Sequence, residues 1–109
     1  MDTRLKRSTD FDRVFKKGKR CFSKNLMMVF VPSGELKIGF SVGKKHGNAV
    51  TRNRIKRLLC AATRENIGLV KGNYHVVILP KVSENYSFKV FSAEMESLFG
   101  RNLTGERDQ

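Results

Sequence analysis

The sequence has few of the residues on which secreted, metal-binding or membrane proteins depend. It contains no tryptophan, two prolines, two histidines and two cysteines in 109 residues. Cys21 and Cys60 have neither CxxC spacing nor a neighbouring histidine, so we expect two reduced thiols in a cytoplasmic protein rather than a disulfide framework or a zinc site. The longest apolar run, 26–31, is too short to span a bilayer, and no apolar segment follows the N-terminus. We therefore expect a chain that is neither secreted nor embedded in a membrane.

Acidic residues are also scarce, with ten Asp and Glu against 22 Lys and Arg and a formal net charge of +12. Residues 1–57 hold 16 of the cations and four of the acids, whereas the remaining residues hold six of each. A positive excess confined to one half of a chain favours a polyanionic partner, first nucleic acid and second an anionic membrane surface. With so few carboxylates in the basic half, a two-metal nuclease site has little support.

The densest cationic segment spans residues 44–57, which contain six Lys and Arg and no acid. Apolar residues at three- and four-residue spacing predict a helix from Ala49 with one buried face. That face comprises Thr51, Ile55, Leu58, Leu59 and Ala62. The cations stand in the first turns, where the helix dipole favours acids, and the Gly47-Asn48 turn would offer backbone N–H groups to an anion. We predict a phosphate-binding surface; a merely solvated charged face is the alternative.

Hydrophobic periodicity predicts six elements in a single domain of residues 1–109, with its ordered core at about 8–100. In chain order they are a helix ending at Gly18, a strand at 24–31, a strand at 36–42, the basic helix, a strand at 74–79 and a helix from Phe88 to Gly100. Strand, helix and strand in succession imply a parallel pair. The predicted fold is an α+β sandwich with helices packed over a small sheet.

Three local features of this prediction concern the ends of elements. Ser8 or Thr9 is the expected N-cap of the first helix, because short hydroxyl side chains satisfy exposed N–H groups there. A hairpin-like turn is expected after Pro32, and the polar tail from Arg101 is expected to fray.

Phe11 and Phe15 lie on the short first helix beside a basic flank that includes Lys16. Aromatic rings next to cations suit single-stranded nucleic acid, because bases stack on the rings while the cations neutralise phosphates. The same two phenylalanines are also typical of a core, so both roles stay open. Gly39 lowers the outer face of its strand, which would suit either a bound chain or the close packing of a neighbouring element.

Catalytic chemistry has little support in the sequence. His46 and His75 could form a two-histidine acid–base nuclease, but no third group is visibly arranged with them. No Walker-type glycine loop is present. Binding of nucleic acid is therefore better supported than cleavage by the protein itself.

The segment from Lys44 to Arg57 resembles the protein subunit of bacterial ribonuclease P, whose hallmark is an Arg-Asn-Arg motif followed by an aliphatic and two basic residues. Here the motif reads Arg52-Asn53-Arg54-Ile55-Lys56-Arg57. The strand at 38–45, the turn at 47–50 and the opening Phe11-x-x-Val14-Phe15 with Gly18 are also similar to the family pattern. The resemblance covers about residues 8–100.

The resemblance implies an α-β-β-β-α-β-α order, with an extra short strand near Arg20–Phe22. It further implies a left-handed βαβ crossover, as in folds like domain 2 of ribosomal protein S5, against the usual right-handed rule.

The resemblance also implies that an RNA subunit, with Mg²⁺, hydrolyses precursor tRNA to remove its 5′ leader. The protein would then be a monomeric partner in a one-to-one complex, with no catalytic residue and no tightly bound cofactor of its own. Contacts with the RNA subunit would fall to Lys44, Lys45, Asn48, Arg52, Asn53, Arg54, Lys56 and Arg57. Contacts with the leader would fall to Phe11, Phe15 and Lys16.

Two positions depart from the family pattern. Cys60 and Pro80 stand where the family usually or often has a basic residue, so the leader side is less closely matched than the Arg-Asn-Arg side. The alternative function is a ribosomal or general single-stranded RNA-binding module with no role in tRNA processing.

Overall fold

The computed structural model describes residues 3–105, which form three α-helices and four β-strands. In chain order these are α1 (Ser8–Lys17), β1 (Lys19–Phe22), β2 (Leu26–Pro32), β3 (Lys37–Phe40), α2 (Ala49–Asn66), β4 (Tyr74–Pro80) and α3 (Phe88–Asn102). Short 3₁₀ turns at Lys44–His46 and Ile67–Leu69 flank α2. The α-β-β-β-α-β-α order is confirmed, including the extra strand. Among these elements, no helix combines the length and apolar character that crossing a bilayer requires.

The four strands form one sheet in the order β1-β2-β4-β3. β4 pairs antiparallel with β2 and parallel with β3, so the predicted parallel pair is confirmed. The predicted hairpin-like turn after Pro32 is wrong, because β4 lies between β2 and β3 and takes the hydrogen bonds that a hairpin would have used. α2 is the crossover that joins β3 to β4; its left-handedness stays a prediction.

The sheet is covered on both faces because its central strands are apolar on both sides. Leu26 and Met28 of β2 face a core shared with α2 and α3, while Val29 faces a smaller core beneath α1. β4 divides in the same way, with Val76 on the first side and Val77 on the second. Successive strand residues point to opposite faces, so one continuous apolar run serves two layers of helix.

The packed core extends beyond residues 8–100 at both ends. Leu5 is buried, and its N–H donates to the Ile38 carbonyl along the outer edge of β3. Leu103 is fully buried, and its carbonyl accepts from the Lys71 N–H. The predicted fraying from Arg101 is therefore wrong for residues 101–105; the rest of that tail lies outside the described residues.

Two further local predictions are wrong. The N-cap of α1 is Arg7 rather than Ser8 or Thr9, and no side chain caps this helix. The helical spacing of Phe88, Phe91, Met95, Leu98 and Phe99 predicts that the aromatic residues of α3 are core residues. Phe88 is instead 36% exposed, because the helix buries only its later residues. Those buried residues are Phe91, Met95, Leu98 and Phe99.

Candidate RNA interface

The basic helix α2 begins in a 3₁₀ turn that carries Lys44 and Lys45, both exposed. Asn48 is the N-cap, and its side-chain oxygen accepts from the Thr51 N–H at 3.0 Å. The predicted anion-binding turn is thus partly occupied by the chain itself, since Asn48 already satisfies one of the N–H groups at this terminus. No acidic residue stands in the first turn of α2 to balance its cations.

Most of the cations in the first turns of α2 are exposed to solvent. Ile55, Leu59 and Ala62 form the buried stripe, and Arg54, Lys56 and Arg57 are exposed. Arg52 and Thr51 are half-buried at the border, and the buried Arg52 Nε atom has no hydrogen-bond partner among the described residues. Asn53 is exposed on the same turn.

Within residues 3–105, no carboxylate forms a salt bridge with any cation of the Arg-Asn-Arg segment, whose charges are carried by Arg52, Arg54, Lys56 and Arg57. This surface is therefore not covered by the protein's own acids. Like charges held together without counter-ions attract a polyanion.

A groove of about 460 Å³ runs along the outer edge of β3, between α1 and α2. Its walls carry four cationic side chains, Arg4, Lys56, Arg57 and Arg64. Its apolar lining consists of Leu5, Phe11, Gly39, Phe40 and Cys60. The lining contains no carboxylate and no histidine, so the groove suits a phosphate chain with bases that contact aromatic rings.

The packing of Gly39 explains how the groove forms. A Cβ atom at this position would lie 2.5 Å from Phe11 Cζ and 3.0 Å from Leu5 Cβ. The glycine therefore serves the close approach of α1 and of the N-terminal segment to β3, and this approach sets the Phe11 ring at the side of the groove.

The predicted site residues divide between two surfaces. Phe11 lines the groove as expected, whereas Phe15 is half-buried in the core beneath α1 and Lys16 is exposed on that helix. Lys56 and Arg57, grouped with the RNA-subunit contacts by resemblance, line the groove beside Phe11. Arg54 does not line it.

Helix geometry accounts for this division. At about 100° per residue, Arg54 projects about 120° away from Cys60, which faces the groove. Arg64 follows Cys60 by one turn and shares its direction. Helical spacing from Lys56 could have identified Arg64 from the sequence, whereas nothing local indicates Arg4.

Cys60, one of the two positions at which the sequence was expected to depart from the family pattern, lines the groove. Its sulfur lies 3.9 Å from a guanidinium nitrogen of Arg4, which reaches it from the N-terminal segment. Arg4 therefore brings a positive charge to the neighbourhood of this position. Cys21 lies elsewhere, against the main core, and burial raises the pKa of its thiol.

The two histidines do not share a site. The His46 ring nitrogen Nδ1 lies 2.7 Å from the Tyr86 hydroxyl, and the ring also contacts the Pro80 backbone at the end of β4. His75 is near the start of that strand, about 17 Å away at about 3.3 Å per residue. Histidines at opposite ends of one strand are poorly placed to act together on one phosphate, so the structure gives the two-histidine nuclease hypothesis no support.

The chain matches known proteins along most of its length. A sequence model of the family described as Ribonuclease P matches residues 1–102. The ribonuclease P protein component of Clostridioides difficile is 37% identical over 101 residues, with 89% of each chain covered. That of Bacillus velezensis is 36% identical over 99 residues, covering 88% of this chain and 85% of the relative.

Solved structures show the same fold. The ribonuclease P protein from Thermotoga maritima superimposes with a TM-score of 0.81 and 27% identity, covering 90% of this chain and 96% of that one. With a family match over nearly the whole sequence and relatives above 30% identity, this chain belongs to the bacterial ribonuclease P protein family, the protein component of that endoribonuclease complex.

Proposed function

We propose that this protein binds the RNA subunit of ribonuclease P and the 5′ leader of precursor tRNA, and so supports removal of the leader during tRNA maturation. The groove beside α2 supports this proposal, because four cations surround a lining that contains aromatic rings and no carboxylate. Single-stranded RNA has the complementary chemistry, with one phosphate and one stacking base in each nucleotide.

The groove and the cationic surface outside it bind different RNAs. The groove, with Phe11, Lys56, Arg57 and Arg64, receives the leader. The exposed cations at the α2 N-terminus that do not line the groove, Lys44, Lys45 and Arg54, contact the folded RNA subunit through its phosphates. A protein placed in this way holds the leader against the RNA and lowers the repulsion between two polyanions.

The hydrolytic chemistry belongs to the RNA subunit together with Mg²⁺. Mg²⁺ is bound in proteins through carboxylate oxygens, and the groove offers none. Its side chains would repel the ion and attract the phosphates that carry it. The protein's contribution is therefore binding and orientation, as a cytoplasmic monomer in a one-to-one complex with the RNA.

The test compares precursor and mature tRNA bound to the protein–RNA complex. We expect tighter binding of the precursor, and we expect Lys56→Ala and Arg57→Ala to reduce that preference while Lys89→Ala, an exposed lysine on α3, leaves it unchanged. Equal affinity for both RNAs in the wild-type complex would instead identify a general single-stranded RNA-binding module.

A further inference from the structure

A second cavity, of about 280 Å³, lies at the N-terminus of α1. Arg4 and Leu5 line both this cavity and the groove, so the two are neighbours along the N-terminal segment. Four cations line the cavity, Arg4, Lys6, Arg7 and Lys37, together with the two acids Asp10 and Glu35.

The side chain of His75 indicates a ligand at this cavity independently of the cationic lining. His75 lines this cavity with a side chain only 8% exposed, and within residues 3–105 neither of its ring nitrogens has a hydrogen-bond partner. A buried polar group without a partner destabilises the folded protein, so such groups call for a functional explanation. Nothing in the groove or in the Arg-Asn-Arg surface uses this imidazole.

Glu35 shows what kind of group can approach His75. A Glu35 carboxylate oxygen lies 3.6 Å from His75 Nε2, beyond hydrogen-bond distance, and the Glu35 side chain is 63% exposed. An oxyanion is thus already placed opposite the imidazole, but loosely and on a side chain that water surrounds. A diffusing oxyanion can replace it, because Glu35 loses little when it turns back to solvent.

The start of α1 adds to the attraction. This ten-residue helix has no side-chain cap, and its positive dipole end opens beside Arg7 and Asp10 at the cavity. Uncapped helix N-termini bind phosphate through backbone N–H groups and the dipole.

We propose that this cavity is a phosphate-binding site in which His75 and Lys37 hold the anion and Glu35 competes with it. In the assembled complex the anion is a backbone phosphate of the leader, beyond the part held in the groove. The identification of the anion as a leader phosphate rests on the proposed function, whereas the phosphate site itself does not.

The first experiment uses the protein alone and inorganic phosphate, with chloride at equal ionic strength as the reference. We expect phosphate to shift the His75 ring signals in the NMR spectrum. Lys37→Ala should weaken phosphate binding by about threefold or more, and Glu35→Gln should strengthen it, because the competing charge is gone. Lys89→Ala and Glu84→Gln are matched exposed controls. An unmoved His75, or affinities unchanged in both site variants, would overturn the site.

The second experiment compares precursors whose leader is short enough to fill only the groove with precursors whose leader is longer. Wild-type complex should bind the long leader more tightly, and Lys37→Ala and His75→Gln should lose that gain while binding the short leader normally. A gain that both variants retain would exclude the leader as the source of the phosphate. If the wild-type complex bound the short-leader precursor no more tightly than mature tRNA, the proposed function itself would be refuted. The two failures are therefore distinguishable.

Discussion

The ring of Phe11 packs against Gly39 so closely that a Cβ atom on the glycine would lie 2.5 Å from Phe11 Cζ. We predict that Gly39→Ala displaces this ring into the groove. Stability should fall by about 1–3 kcal/mol because the site is overpacked, and affinity for leader-bearing substrate should fall with it.

Urea unfolding and precursor binding check this prediction. The matched control is Gly100→Ala in α3, where, apart from the neighbouring backbone of the helix itself, no atom of the described residues lies within 4 Å of the added methyl group. That change should stabilise the protein by about 0.5–1 kcal/mol. A neutral Gly39→Ala would show that Phe11 does not depend on this contact.

Arg54 should contribute to affinity for the RNA subunit and not to leader preference. The Arg54 side chain is exposed and lies outside the groove, so Arg54→Ala should weaken RNA-subunit binding by about 1–3 kcal/mol at moderate salt. Filter binding with the RNA subunit measures this, and Lys89→Ala is the control for loss of one positive charge. If Arg54→Ala altered only the precursor-to-mature ratio, the division into two surfaces would be wrong.

Restoring a cation at Cys60 should strengthen leader binding. Cys60→Arg places a fifth positive charge in a groove that already has four. The slope of log affinity against log salt for a single-stranded leader should steepen by about 0.7 for one added phosphate contact. Cys60→Ser is the uncharged control, and an identical slope for the Arg and Ser variants would mean that no phosphate passes this position.

The stability of the protein should depend on pH through His46. Burial lowers the pKa of His46, and the positive charge of Lys45 lowers it further. A base whose pKa is lower in the folded state is protonated first in the unfolded chain. Stability is therefore greatest above the unfolded value and falls as pH decreases from that value through the folded pKa.

Urea unfolding across this pH range, in wild type and His46→Gln, tests the assignment. The variant should lose part of the decline in stability at acid pH. The Glu94 carboxyl also has a lowered pKa, held down by hydrogen bonds from Ser23 and Asn25 against the opposing effect of its burial. Glu94 is present in both proteins, so its titration should leave the difference between them unaffected. Equal pH dependence in both would contradict the role of His46.

The C-terminal segment should be part of the folded core. Leu103→Ala removes a fully buried side chain and should cost about 2–5 kcal/mol. Leu69→Ala, at a position 40% exposed, is the matched control and should cost much less. Thermal unfolding compares the two, and similar melting temperatures would mean that Leu103 packs loosely.

Much of the fold could be predicted because its elements have strong local signals. The period of Ile55, Leu59 and Ala62 defines the buried stripe of α2, and the apolar character of both faces of β2 indicates a strand with helices on each side. The Arg-Asn-Arg segment could be predicted as a binding surface because its cations lie at the positive end of the helix dipole, which favours acids.

The errors have a different origin. The order of strands in the sheet depends on contacts between distant residues, so nothing near Pro32 reveals that β4 separates β2 from β3. The groove is equally non-local, since it joins Arg4 to Arg64 across the edge of β3. The burial of Leu103 could not be predicted, because a single apolar residue in a polar segment has no hydrophobic periodicity.

We propose that this protein allows an RNA to act on precursor tRNA by neutralising phosphate and holding the leader. Cleavage of a precursor by the cognate RNA subunit should be measured across a series of Mg²⁺ concentrations, with and without the purified, folded protein. We expect the protein to lower the Mg²⁺ concentration needed for half-maximal cleavage, and we expect Arg54→Ala and Lys56→Ala each to lose part of this effect. An identical Mg²⁺ requirement with and without the protein would show that it does not act in this way.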